Sequence, residues 1–166
     1  MKQDVRYYWV ALGILVLAIF GVALYKAWPI LFPPISLSAE VDPQCDLREG
    51  PCTTRLPNGV QVRFSIQPRS IPVVKPLQLE VVLKGLVADK VEVDFAGTDM
   101  NMGFNRVTLS PSSNPGVYTS GGMLPVCVRD AMEWEARVLI STAQGLVSVP
   151  YRFITVRPGV SLPESR

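Results

Sequence analysis

The sequence predicts an all-β chain, a small antiparallel β-sandwich preceded by one N-terminal transmembrane helix. Three observations predict it. Residues Tyr7 to Tyr25 form an unbroken run of nineteen uncharged residues between Arg6 and Lys26. Past residue 34, apolar and polar residues alternate at a period of two in five separate segments. No convincing amphipathic helix follows the run.

At a rise of about 1.5 Å per residue, a helix over 7–25 spans the roughly 30 Å hydrocarbon layer of a bilayer. Tyr7, Tyr8 and Trp9 at one end, and Tyr25 and Trp28 at the other, suit the interfacial aromatic belts. A cleaved secretory signal has a shorter apolar core and a small-x-small exit. Here the exit reads Val22-Ala23-Leu24-Tyr25-Lys26-Ala27-Trp28, without that pair at the right spacing. A buried helix of a soluble protein is disfavoured as well, because the first residue able to cap or close a fold comes long after the run ends. The expectation is an uncleaved single-pass anchor. Lys2, Arg6 and the α-amino group, opposed by Asp4, precede the run, and Lys26 alone follows closely. The positive-inside rule then favours a cytoplasmic N-terminus over 1–6 and an exported C-terminal domain, which in a bacterium means the inner membrane and the periplasm.

After the anchor, Trp28-Pro29 and Phe32-Pro33-Pro34 are expected to stop the helix, leaving 26–40 as a short stiff spacer. Residues 41–158 suffice for one domain with its own core, and 159–166 reads as a disordered tail. The whole chain carries 16 Lys and Arg against 14 Asp and Glu. Lys2, Arg6, Lys26 and Asp4 belong to the anchor region, so the rest is formally neutral. A neutral domain lacks the basic field that nucleic-acid binding requires, and that class is excluded.

The alternating segments are Val60–Gln67, Leu77–Val81, Val91–Phe95, Trp134–Ile140 and Val147–Phe153. Turn signals bound them: Pro57-Asn58-Gly59, Gly97-Thr98-Asp99, Asn114-Pro115-Gly116, Gly121-Gly122 and Gln144-Gly145. Half-buried strands at this spacing point to an immunoglobulin-like antiparallel sandwich. Pro150 belongs on an edge strand or at a bulge, since it has no N–H for a ladder.

The chain contains no histidine. That removes Ser-His-Asp and Cys-His catalysis, the usual zinc enzymes and type 1 copper sites. No phosphate loop or dinucleotide fingerprint occurs. Glu133 and Glu135 share one strand face around Trp134, and Asp94 and Asp99 lie close in sequence. Solvated outward positions account for such carboxylates, and a small sandwich offers little cleft for a two-carboxylate hydrolase. The expectation is a protein that is not an enzyme.

What remains is soft chemistry: Cys45, Cys52 and Cys127, with Met100, Met102, Met123 and Met132. In an oxidising compartment paired cysteines become disulfides, and Cys45–Cys52 and Cys52–Cys127 are both open. Cys127, in a β-like run, also reads as a buried inert thiol. On an extended segment Met100 and Met102 would share one face. Thioethers and thiolates select Cu(I) over zinc, magnesium or iron(II), and a thioether has no proton to gain in acid. Methionine also fills core gaps, but the flanking Asp99, Asn101 and Gly103 read as turn chemistry that would leave both side chains partly exposed. The candidate metal ligands are therefore Met100 and Met102, with Cys127 or Met132.

The stretch Val93-Asp94-Phe95 through Asp99-Met100-Asn101-Met102-Gly103, then Leu124-Pro125-Val126-Cys127-Val128 and Met132-Glu133-Trp134, resembles a group of small bacterial membrane-anchored proteins. Their extracytoplasmic domain is similar to the YtkA-like and FixH-like sandwiches, themselves related in shape to periplasmic CopC-like copper carriers. The resemblance covers most of 41–157. It implies copper handling, with a copper-delivery or cytochrome-oxidase assembly partner. Without histidine the Cu(II) site of CopC-like carriers does not carry over, and a shared copper role rests on Met100, Met102 and the cysteines. The alternative is a module without metal, in which these segments dock onto a membrane complex.

Overall fold

A computed structural model of the chain describes residues 2–31, 35–100, 102–125 and 129–156. It divides into two compact units, 1–34 and 35–166.

The first unit is one helix, α1, Lys2–Leu31. Its Tyr7–Trp28 stretch is long and apolar enough to cross a membrane, and none of it is buried. A helix apolar around its whole circumference has the character of a membrane span. Against expectation, α1 does not stop at Trp28-Pro29 but continues to Leu31. The fixed φ of proline is itself helical, and the helix ends two residues after it. The expected spacer is shortened from its other end too, because Ile35–Ser38 forms a strand. Phe32-Pro33-Pro34 and the expected disordered tail 159–166 lie outside the described residues.

The second unit is all β. Its strands are β1 Ile35–Ser38, β2 Cys52–Arg55, β3 Gln61–Gln67, β4 Leu77–Lys84, β5 Lys90–Gly97, β6 Arg106–Pro111, β7 Val117–Gly122, β8 Ala131–Thr142 and β9 Gly145–Val156. They form one continuous sheet in the order β1-β9-β8-β5-β6-β7-β4-β3-β2. All neighbours are antiparallel except β1, which runs parallel to β9. β6 pairs with β5 through Arg106–Leu109 and with β7 through Ser110 and Pro111. The sheet folds over at this change of partner, and its two halves face each other across the core.

The alternation read from the sequence decides which side chains meet there. Val62, Phe64 and Ile66 of β3 and Leu77, Leu79, Val81 and Leu83 of β4 are buried. Facing them are Val91, Val93 and Phe95 of β5, Trp134, Ala136, Val138 and Ile140 of β8, and Val149, Tyr151 and Phe153 of β9. Direct contacts join the halves. The Phe64 and Tyr151 rings lie 5.4 Å apart, and Tyr151 Oη donates to the Val62 carbonyl at 2.9 Å. The buried Trp134 indole donates to Thr155 Oγ1 at 2.9 Å, so its one polar atom is satisfied.

Cys45 and Cys52 form a disulfide with Cα atoms 5.7 Å apart. The alternative Cys52–Cys127 pairing is thereby overturned, and Cys127 itself lies outside the described residues. The bridge joins the 45–50 turns to β2 and holds Leu47 in the core. Pro150 meets its expectation. β1 pairs with β9 only as far as Ser148, so Pro150 falls where the outer side of β9 has no ladder partner among the described residues.

Two outcomes follow from these contacts. Replacing both Cys45 and Cys52 by serine lowers the urea-unfolding free energy of the domain by about 2–3 kcal/mol; unchanged stability would contradict a structural bridge. Burial pushes the Tyr151 phenol from 10.0 to about 12, with hydrogen bonding from Thr54 pulling the other way. Below pH 10 the phenol is neutral in both folded and unfolded chains. Between 10 and about 12 only the unfolded chain ionises. The contribution is therefore intact below pH 10 and is lost as pH rises through that window, by roughly 1.4 kcal/mol per pH unit. Unfolding measured against pH should show a shallower alkaline fall in Tyr151→Phe than in the native chain; equal slopes would overturn the assignment.

Candidate functional site

The methionine segments meet at one end of the sheet, where β5 stops. Gly97, its last residue, pairs with Trp134 of β8. The chain turns there because Thr98 is tied back to β8: its N–H donates to the Glu133 carbonyl at 3.2 Å, and its Oγ1 to Glu133 Oε2 at 2.9 Å. Beyond Thr98 the chain next enters a strand at Arg106, the start of β6.

Gly97 carries no side chain because there is no room for one. A Cβ at this position would overlap Met132 Cε, stand 2.6 Å from the Met100 carbonyl oxygen and 3.1 Å from Met102 Cγ. Three of the four candidate residues thus meet at a single glycine, Met132 and Met102 by their side chains and Met100 by its backbone. Met132, at the inward-facing start of β8, is 3% exposed. Met100 and Met102 are partly buried and pack against the core. Cys127, the fourth candidate, lies outside the described residues.

Met102 lines two hollows, one of about 380 Å³ shared with Gly97, Thr98 and Met100, and a slightly larger one of about 410 Å³ shared with Val74, Phe104, Asn105, Met123, Leu124 and Pro125. Its walls are unusually bare: Phe104 is 81% exposed, Val74 57% and Met123 54%. Backbone bonds shape it. Val74 N–H donates to the Leu124 carbonyl at 2.9 Å, and Asn105 Nδ2 donates to the Met123 carbonyl at 3.2 Å. Val74 has φ of 55°, a left-handed conformation that a β-branched residue adopts at a cost of order 1–3 kcal/mol. The bond to Leu124 helps hold it there.

The carboxylates near this end are engaged. Asp99 pairs with Arg129 at 3.3 Å and Asp94 with Arg106 at 3.1 Å. Glu135 meets both Arg137 and Arg152 on the outer face. A separate hollow beside the disulfide is lined by three acids, Asp42, Asp46 and Glu133, and two bases, Arg48 and Arg152. There Asp42 and Asp46 accept from the backbone N–H groups of Gln44 and Arg48. No group of three or more Cys, Asp or Glu able to hold a metal occurs among the described residues. What converges is the Met132 methyl, Met102 at its Cγ and the Met100 backbone carbonyl oxygen, so two thioether side chains and one carbonyl share the neighbourhood of Gly97. Such a set suits a soft, low-charge cation far better than a divalent hard one.

Sequence reasoning reached Met100, Met102 and Met132 but missed Gly97, Val74 and Phe104. Gly97 registered only as a turn signal, because the side chain that crowds it comes from another strand. Compared with known proteins, the chain matches no family model and no curated protein.

The packing at Gly97 yields a direct outcome. Gly97→Ala should destabilise the domain by about 1–3 kcal/mol, since Met132 and the Met100 backbone must both give way. A change below about 0.5 kcal/mol in chemical unfolding would show that the methionine end is loosely packed.

Proposed function

We propose that this is a single-pass protein of the bacterial inner membrane whose periplasmic domain holds a soft monovalent metal, Cu(I) foremost, at Met100, Met102 and Met132. The convergence of the Met102 and Met132 side chains with Met100 on Gly97 carries the reading. Thioethers are neutral and soft, and they bind Cu(I) without losing a proton. The Cys45–Cys52 bridge suits an oxidising compartment, which supports the outward placement of the domain. The strand order supports an immunoglobulin-like assignment: β3, β4 and β7 lie side by side as strands A, B and E do, and β5, β8 and β9 as C, F and G do. On the resemblance to YtkA-like and FixH-like domains, the metal would pass to a copper-delivery or cytochrome-oxidase assembly partner.

One observation favours a second reading. Phe104, Val74 and Met123 leave apolar surface open around the larger hollow, as a docking module without metal would. A competition titration of the full chain in detergent separates the two, using Cu(I) held by a chromophoric chelator and ascorbate as a mild reductant. One equivalent should bind, and the combined Met100→Leu, Met102→Leu and Met132→Leu variant should bind at least about 100-fold more weakly. A Cys127→Ser variant reports whether the thiol contributes. Absence of stoichiometric binding in the native chain would eliminate the metal reading and leave docking.

A further inference from the structure

The thioethers at this end are graded in exposure. Met123 stands 54% exposed on the rim of the larger hollow, Met102 is partly buried, and Met132 is 3% exposed behind Gly97. Met102 links them, because it lines both the larger hollow and the smaller one, which it shares with Gly97 and Met100, while its Cγ lies against Gly97. We infer that Met123 and Met102 form an outer port through which a soft monovalent cation enters and leaves the cluster at Gly97. The inference rests on the reading of that cluster as a soft-metal site, and it adds a residue and a route.

The chemistry is ligand exchange alone. The cation trades a thioether of the incoming carrier for Met123, then Met123 for Met132, with Met102 held in common. Its charge stays at +1, and no proton or electron moves. Met132, 3% exposed, offers no free face to an incoming carrier, so a cation held there would exchange slowly unless a more exposed thioether relays it. An exposed thioether on the rim removes that barrier. The surrounding Val74, Phe104, Leu124 and Pro125 supply apolar walls and no charged side chain, so water and hard ligands gain little there. The backbone of Met123 is pinned by the Asn105 bond, which keeps it at the rim.

The test measures rate and affinity separately on the full chain in detergent. Cu(I)-loaded protein is mixed with a saturating chromophoric chelator in a stopped-flow instrument, and equilibrium affinity is titrated in parallel. Met123→Leu, which keeps the volume and removes the sulfur, should hold Cu(I) within about threefold of the native affinity and release it at least about tenfold more slowly. Met123→Ala should slow release as well. Release at the native rate in Met123→Leu overturns the port, and faster release in Met123→Ala shows a steric cover instead. Loss of equilibrium binding in Met123→Leu also overturns it, by making Met123 a primary ligand. A native chain that binds no Cu(I) contradicts the cluster itself, an outcome distinct from a native chain that binds while Met123 proves irrelevant.

Discussion

β6 holds β5 with Arg106–Leu109 and β7 with Ser110 and Pro111, and this change of partner midway along one strand turns a nine-stranded sheet into two facing layers. The inward faces of β3, β4, β5, β8 and β9 then share one core that excludes water from more than twenty apolar side chains. The Tyr151–Val62 bond and the Phe64–Tyr151 contact fasten the layers across strands that are not neighbours in the sheet. Such a bond contributes on the order of 1 kcal/mol; its larger effect is to fix the relative position of the halves. Because β5 is held between β6 and β8, its last residue is brought against the start of β8. Gly97 and Met132 meet for that reason.

The strongly alternating strands were legible in the sequence, and the weakly alternating ones were not. β3, β4, β5, β8 and β9 each bury every second side chain, and a buried face forces that spacing. β2 is four residues long, β7 reads Val-Tyr-Thr-Ser-Gly-Gly, and β6 buries only Leu109. Such strands are held by ladder bonds to partners far along the chain, which no local pattern announces. Pro29 reads as a stop in the sequence, whereas the helix runs two residues past it, because proline's fixed φ is compatible with a helical conformation at its own position. The disulfide followed from compartment logic, but the pairing required the fold: Cys52 opens β2 opposite Phe64, and that brings it to Cys45.

The candidate site shows the same division. Met100 and Met102 stood out by spacing, and Met132 by its place before Trp134. That they gather at one glycine depends on the pairing of Gly97 with Trp134, a relation between residues 37 apart in the chain. Methionine has two roles here that do not exclude each other. Met132 fills the core at the head of β8, and its side chain also stands beside that of Met102, in a loop held close by Thr98. Packing keeps that thioether where the proposed site needs it.

Copper K-edge X-ray absorption on the full chain loaded with one equivalent of Cu(I) tests the thioether cluster most directly, because it reports which elements touch the metal. A first shell dominated by sulfur, losing sulfur scatterers in the Met102→Leu plus Met132→Leu variant, is the predicted result. A first shell of nitrogen and oxygen alone, or a sulfur shell unchanged in that variant, would contradict a metal site at Gly97.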